Sequence, residues 1–358
     1  MITITLLGTG SPIPDPNRAG PATLVQAGEE NYLVDAGRGV LMRLTAAGCG
    51  ANMLNGVLIT HLHSDHITDL NDVITSAWIT TFGKPKPLQI VGPPGTKEVV
   101  DRILHFLSFD IGYRIDHHAD LNDPPDVDVI EIESGNVELE GIVKISTEPT
   151  EHRPVHPTIG FRFDYKDDAV VVAGDTIPCA GLDKLCLGAK GLVHTVIRKD
   201  IIENIPIERL QDVCDYHSSV EEASQTAERA GVETLVLTHY VPAFPSGQGE
   251  EWKEIASQHF SGRIEHRFIN PRGGETFFSN LNPAEIYSRN FTLFSGGFSL
   301  YKQQENLSNY YQFLITSRAP SIEDLFSDGP HLGNYAYCLL YTSPSPRDQR
   351  GSRMPGSA

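Results

Sequence analysis

The sequence predicts an α/β sandwich, and three observations carry that expectation. Short Val/Ile-rich runs bounded by turn residues recur through the first 280 or so residues. Amphipathic stretches of helical length lie between them, without the strict strand–helix–strand rhythm of a doubly wound parallel sheet. The 358 residues are 40% hydrophobic and 21% charged, which supplies a large buried core and excludes a disordered chain.

Strands are expected at residues 2–7, 32–34, 57–60, 88–91, 143–145, 159–163, 169–173 and 235–237, all short, apolar and bounded by turn or polar residues. Helices are expected at 67–80, 97–106 and 219–230. The last begins Ser218-Ser219-Val220-Glu221-Glu222, where Ser219 and Glu222 have capping-box spacing. No repeat is evident. Residues 1–280 read as one catalytic-sized domain. Residues 281–340 become aromatic and Ser/Asn-rich without site chemistry, an extension of unknown role or a truncated second domain. Residues 341–358 look like a translated adapter sequence, a non-native tail that would truncate the natural protein near Cys338.

Lys plus Arg number 28 against 46 Asp plus Glu, a formal charge of −18. Such a surface repels a phosphate backbone unless a basic patch is segregated from it, and no Lys/Arg cluster stands out. A polynucleotide substrate therefore starts at a disadvantage. No apolar run reaches the roughly 18 residues of a membrane span, and the start of the chain lacks the basic region of a signal peptide. The five scattered cysteines, with no CxxC, read as reduced thiols of a cytoplasmic protein, mostly core fillers.

The strongest chemical signal is His61-Leu62-His63-Ser64-Asp65-His66, directly after the apolar run Val57-Leu58-Ile59-Thr60. Alternation places the imidazoles of His61 and His63 together while Leu62 packs behind. Asp65 and His66 follow on the turn into a helix, where a second cation could be held. Imidazole and carboxylate donors without thiolate suit a catalytic zinc-type site with an open position. Farther along, His152, Asp175 and His239 each follow an apolar strand, where side chains gather at a sheet edge. His156 rivals His152.

This motif resembles that of the metallo-β-lactamase fold superfamily, a four-layered αββα sandwich with a dinuclear metal site at one edge. The resemblance covers about residues 1–270. It includes Leu7-Gly8-Thr9-Gly10-Ser11-Pro12, Leu33-Val34-Asp35-Ala36-Gly37, Gly92-Pro93-Pro94-Gly95-Thr96, Gly174-Asp175-Thr176 and Leu237-Thr238-His239. Together these are similar to the ribonuclease Z and arylsulfatase-like branch. The resemblance implies one metal on His61, His63 and His152 and another on Asp65, His66 and His239, with Asp175 bridging. It implies two divalent ions, zinc first and manganese as the alternative, and a homodimer. A cation pair lowers the pKa of bound water towards neutrality and stabilises charge on the attacked centre. Asp35 is either an outer carboxylate orienting a ligand or a turn-former before Gly37. His63 stands where a redox di-iron relative has a carboxylate, which favours hydrolysis. His217 is either a proton donor to the leaving group, as the resemblance implies, or a surface histidine flanking a helix; Asp65 and His217 are the catalytic candidates.

Two departures direct the substrate expectation. His194-Thr195 stands where ribonuclease Z has a His-Glu pair. His152 and Asp175 are only 23 positions apart, leaving no room for the long arm with which ribonuclease Z grips tRNA. The expectation is therefore an arylsulfatase-like hydrolase of a small sulfate ester or phosphodiester. The alternatives are an armless 3′-tRNA-processing endonuclease and a non-catalytic metal-binding protein. Gly92–Lys97 lacks the Gly-Lys-Ser/Thr of a phosphate loop and implies no nucleotide. Trp78, Phe82, Tyr113, His117, His118 and Phe244 are pocket-wall or core candidates, and residues 113–125 a lid or a solvated loop.

Overall fold

Alternating apolar residues build two seven-stranded sheets that meet face to face. The computed structural model describes residues 1–265 apart from 17, 83–85 and 245–248, together with the strand segments 275–277, 295–304 and 307–316. In the first sheet, β1 (Ile2–Gly8), β2 (Ala22–Ala27), β3 (Glu30–Val34), β4 (Gly56–Leu58), β5 (Leu88–Gly92) and β6 (Val127–Glu131) lie in sequence order. The second contains β7 (Gly135–Val137), β8 (Lys144–Pro149), β9 (Ile159–Tyr165), β10 (Asp168–Val172), β11 (Gly191–Ile197), β12 (Thr234–Val241) and β13 (Arg263–Glu265), also in order. A last strand, β14 (Glu275–Phe277), pairs antiparallel with β1 and closes the outer edge of the first sheet. Each sheet is antiparallel on one side and parallel on the other: β3 to β6 and β10 to β13 run parallel.

The inner faces bury Ile4, Leu6, Val34 and Leu58 against Ile145, Phe161, Phe163 and Val172. The outer face of the first sheet packs Leu33, Val57 and Ile90 beneath Val40, Leu70 and Val73 of its helices. That of the second packs Val171, Leu192 and Leu235 beneath Leu182, Val220 and Trp252. The layers therefore run helix, sheet, sheet, helix, the expected αββα sandwich. The chain divides into two units, Met1–Asn280 and Leu281–Ala358. In the second, β15 (Ser295–Gln304) and β16 (Leu307–Thr316) pair antiparallel with Ser295 opposite Thr316. The adapter-like residues 341–358 and Cys338 lie outside the described residues.

Every expected strand is present, with ends shifted by a few residues. The structure adds β2, β6, β7, β11, β13, β14, β15 and β16. Strand β11 is buried along its whole length, so it lacks the alternation that marks a half-exposed strand. The helix expected at 67–80 is broken. A turn at Ser64–Ile67 precedes the helix Leu70–Thr80, and between them the Asp69 amide donates to the Ala36 carbonyl (3.0 Å) while its carboxylate accepts from the Gly39 amide (2.5 Å). Of the stretch 113–125, the first part is helical, in Ser108–His117, and Tyr113, His117 and His118 are exposed. The carbonyl of Asp123 accepts from the indole of Trp78 (3.1 Å). Phe244 stacks on Trp252 with ring centroids 5.1 Å apart, as the edge of a core cluster.

The capping box forms as expected: the Glu222 amide donates to Ser219 Oγ (3.2 Å), and the Ser219 amide to Glu222 Oε2 (2.8 Å).

Gly174 follows β10 at φ 67, and a Cβ there would lie 2.8 Å from Thr60 Cβ. Gly231 has the same φ with open space around it. Alanine at Gly231 should lower stability by about 1–2 kcal/mol, the left-handed backbone penalty alone. Alanine at Gly174 should lower it further, because backbone strain and overlap with Thr60 add. Urea unfolding of both variants measures the difference, and equal losses would remove the steric part of this account.

Candidate metal centre

Four chain segments converge at the edge of the sandwich. The first leaves β4 through Thr60, placing His61 fully buried and His63 ahead of the turn Ser64–Ile67 that carries Asp65 and His66. The second joins β8 to β9: the Thr150 amide donates to the Thr158 carbonyl (2.9 Å), and His152 projects from the loop between. The third leaves β10 through Gly174 to Asp175. It is tied to the second by the Ile177 amide donating to the Glu151 carbonyl (2.9 Å) and the Glu151 amide donating to Thr176 Oγ1 (3.0 Å). The fourth is β12. Its register against β11 shifts between Thr195 and Ile197, and His239 within that shift has φ 53. A bulge of this kind re-aims a side chain out of its strand's alternation.

Asp175 Oδ2 is the hub. It lies 3.8 Å from His61 Nε2, 3.9 Å from His152 Nε2, 3.4 Å from His66 Nε2, 3.4 Å from His239 Nε2 and 3.3 Å from His217 Nε2. His63 Nδ1 approaches His61 Nε2 at 3.1 Å and His152 Nε2 at 3.3 Å. Asp65 Oδ2 lies 3.2 Å from His239 Nε2. The donor atoms form three groups, each within 4.8 Å: His61, His63, His152 and Asp175; Asp65, His66 and His239; and Asp175, His217 and His239. His156 is exposed and belongs to none of them.

The outer nitrogens are held as well. His152 Nδ1–H donates to the Tyr216 carbonyl (2.8 Å), and His217 Nδ1–H to the Val213 carbonyl (3.0 Å). Because carbonyls only accept, both rings are fixed with Nε2 facing the hub. Asp35 accepts from His66 Nδ1 (2.7 Å) and from the Thr60 amide (2.8 Å). It has φ 62, and its own amide donates to the Leu58 carbonyl (2.8 Å). The sequence had two readings of this residue; the structure places the carboxylate on a cluster histidine. Thr60 and the two carbonyls were not among the sequence candidates. A backbone carbonyl leaves no signature in residue type.

The electrostatics suit cations. Burial pushes the His61 and His63 imidazoles down, and that of His152 down to about 4, leaving neutral rings with lone pairs at pH 7. Burial opposes charge on His66, but Asp35 and Asp175 outweigh it and hold its pKa well above the usual value. Burial also works against ionised Asp175, yet the neighbouring imidazoles of His239, His66 and His217 keep its carboxyl well below the carboxylate range. Asp65 is lowered likewise, with the His239 hydrogen bond overcoming burial. Among the described residues, His66 Nε2 and Asp175 Oδ1 are buried without a hydrogen-bond partner. Orphaned, converging nitrogen and oxygen donors of this kind fit divalent metal ions. Fold and site together define a metal-dependent hydrolase acting on ester bonds.

Comparison with known proteins narrows that class. The pattern of the Beta-lactamase superfamily domain matches residues 30–240. A ribonuclease Z of Mycolicibacterium paratuberculosis is 63% identical over 266 residues, covering 74% of this chain and 95% of that protein. The ribonuclease Z of Mycobacterium tuberculosis (strain H37Rv) is 58% identical over 279 residues, 76% of this chain and 100% of its own length. Among solved structures, a metallo-β-lactamase fold protein of Bacillus subtilis has a TM-score of 0.60 at 20% identity, covering 77% of this chain and 98% of its own. Human tRNase Z, short form, has a TM-score of 0.55 at 21% identity, covering 75% and 97%; these two show the fold alone. The chain belongs to the metallo-β-lactamase superfamily and, within it, to the ribonuclease Z branch.

The relatives do not support the sulfate-ester expectation. The 279 aligned positions take in the whole of the tuberculosis protein, so a long arm absent here has no room there either. Close spacing of His152 and Asp175 is therefore no mark of an arylsulfatase. Among the described residues, no helix is long and apolar enough to cross a membrane.

His194 gives a test of pH dependence. It is fully buried, its Nδ1–H donates to the Thr195 carbonyl (2.8 Å), and burial pushes its pKa down to about 4. The unfolded chain protonates this ring near its ordinary value while the folded chain refuses the proton. Its contribution is complete above about pH 6.5 and lost as pH falls from there towards 4. In chelator-treated protein, wild type should lose about 2 kcal/mol more than His194→Gln between pH 7 and pH 5. Parallel unfolding curves for the two across that window would disprove the assignment.

Proposed function

We propose that this chain is a ribonuclease Z-like endonuclease that cleaves a phosphodiester bond in precursor tRNA at the 3′ side. The observation that carries this reading is the 58–63% identity to proteins named Ribonuclease Z along nearly their whole length. The site geometry supports the chemistry. His61, His63 and His152 would hold one ion and Asp65, His66 and His239 the other, with Asp175 between them. Imidazole and carboxylate donors favour zinc, with manganese the alternative. Bound ions would supply a nucleophile at neutral pH and neutralise charge on the attacked phosphorus. Asp175, ionised and central, holds its imidazole neighbours in place. His217, fixed by the Val213 carbonyl, presents Nε2 at the cluster edge, where a proton can be passed to the departing oxygen. Residues 1–280 would carry the activity in the cytoplasm, with 341–358 as a non-native tail.

The test is cleavage of a precursor tRNA bearing a 3′ trailer by protein ended before Tyr341, beside a chromogenic aryl sulfate and a chromogenic phosphodiester. Cleavage at the trailer boundary is expected, with no sulfate turnover above the Asp65→Ala blank. Asp65→Ala and Asp175→Ala should abolish it with the fold intact. His217→Ala should slow it about 10²-fold or more, and chiefly for poor leaving groups. Sulfate turnover without tRNA cleavage would reverse this reading.

A homodimer is proposed through Phe106, Phe109 and Tyr113, which are 72%, 76% and 70% exposed within eight residues of one another along two consecutive helices. Sedimentation should show a dimer that Phe109→Asp converts to monomer; a wild-type monomer would end the proposal.

A further inference from the structure

We propose that Thr60 is a positioning residue: its hydroxyl extends the hold of Asp35 to His61, so that one carboxylate orients a ring in each half of the metal centre. The inference rests on the two-ion reading of the site. Thr60 Oγ1 lies 3.0 and 2.9 Å from the two Asp35 oxygens and 3.0 Å from His61 Nδ1. A hydroxyl carries one proton. The charged carboxylate takes it, because a charge-assisted hydrogen bond is the stronger of the two on offer. Oγ1 then accepts from His61 Nδ1–H. That proton placement leaves the lone pair of His61 on Nε2, the atom facing His63 at 3.1 Å and Asp175 at 3.8 Å.

Asp35 meanwhile accepts directly from His66 Nδ1 at 2.7 Å. The two histidines fall in different donor groups, yet both tautomers trace to the same carboxylate. Thr60, Asp35, His61 and His66 are all at most 4% exposed, so water cannot replace a lost hydroxyl. Without it, His61 Nδ1–H is buried and unpaired, and the ring gains by shifting its proton to Nε2, where it blocks coordination. Thr60 also packs against Gly174, which makes valine the fitting substitution: it keeps the shape and removes the hydroxyl.

The experiment is zinc binding by the full chain, measured by competition with a chromogenic chelator, in wild type, Thr60→Val and Thr60→Ser. Wild type should bind two ions. Thr60→Val should weaken one of them about 10–100-fold and the other by less than about threefold, and Thr60→Ser should restore both. Wild-type affinity for both ions in Thr60→Val overturns the relay, as does a Thr60→Ser variant as weak as Thr60→Val. Should Thr60→Val not fold, Thr60→Ala makes the same comparison; if neither folds while Thr60→Ser does, the residue is structural and the relay is wrong. Fewer than two ions in wild type is a different failure, that of the two-ion reading itself, and takes the relay with it.

Discussion

A buried carboxylate governs the edge of this sandwich. Asp175 Oδ2 sits 3.3–3.9 Å from five imidazole nitrogens, and Oδ1 has no hydrogen-bond partner among the described residues. An ionised carboxylate removed from water costs several kcal/mol unless charge or donors compensate it. Compensation here comes from segments far apart in sequence, which is why the loops after β4, β8 and β10 and the bulge within β12 must arrive at one point. Their arrival strains the backbone. Asp35 and His239 both take left-handed conformations, costing about 1–3 kcal/mol each, and the three layers of apolar packing around the two sheets hold them there.

Much of the architecture was legible in local pattern. Strand and helix signals depend on neighbours, so the runs at β1, β5, β9 and β10 and the capping box at Ser219 and Glu222 could be read directly. The His61-to-His66 motif was legible for the same reason, since its donors share one strand end and one turn. Less legible were features set by distant partners. The break at Asp69 exists because Ala36 and Gly39 offer hydrogen bonds to it. The bulge that turns His239 inward depends on its register with β11. Whole-length burial of β11 erased the alternation that would have announced it.

Net charge and loop length led to the small-ester expectation, which the relatives do not support, and net charge is a weak guide to a substrate. Several acidic groups are engaged locally. Glu131 Oε1 accepts from the Gly95 and Lys97 amides (2.8 and 2.9 Å), neutralising the start of the helix Thr96–Phe106. That carboxylate also occupies the amides a phosphate would need, giving a physical reason why Gly92–Lys97 is no phosphate loop. Asp200 is bonded to Arg198 (2.7 Å) and Asp168 to Lys190 (2.6 Å). A formal sum of −18 already cancels such pairs and carries no information on where the remaining charges lie.

The rings of the centre are secured by two different means. His61 and His66 are oriented by side chains, Thr60 and Asp35, whereas His152 and His217 are oriented by the carbonyls of Tyr216 and Val213. A carbonyl cannot be removed by substitution, so those two rings depend on the conformation of residues 213–217. This segment is anchored just beyond its end: the Ser218 amide and hydroxyl both donate to the Thr176 carbonyl (3.0 and 2.8 Å), and the capping box then fixes the start of the helix Val220–Ala230. The capping box read from the sequence as a helix boundary thus also sets where two imidazoles point. Helix-start geometry and site geometry are one constraint at this edge of the fold.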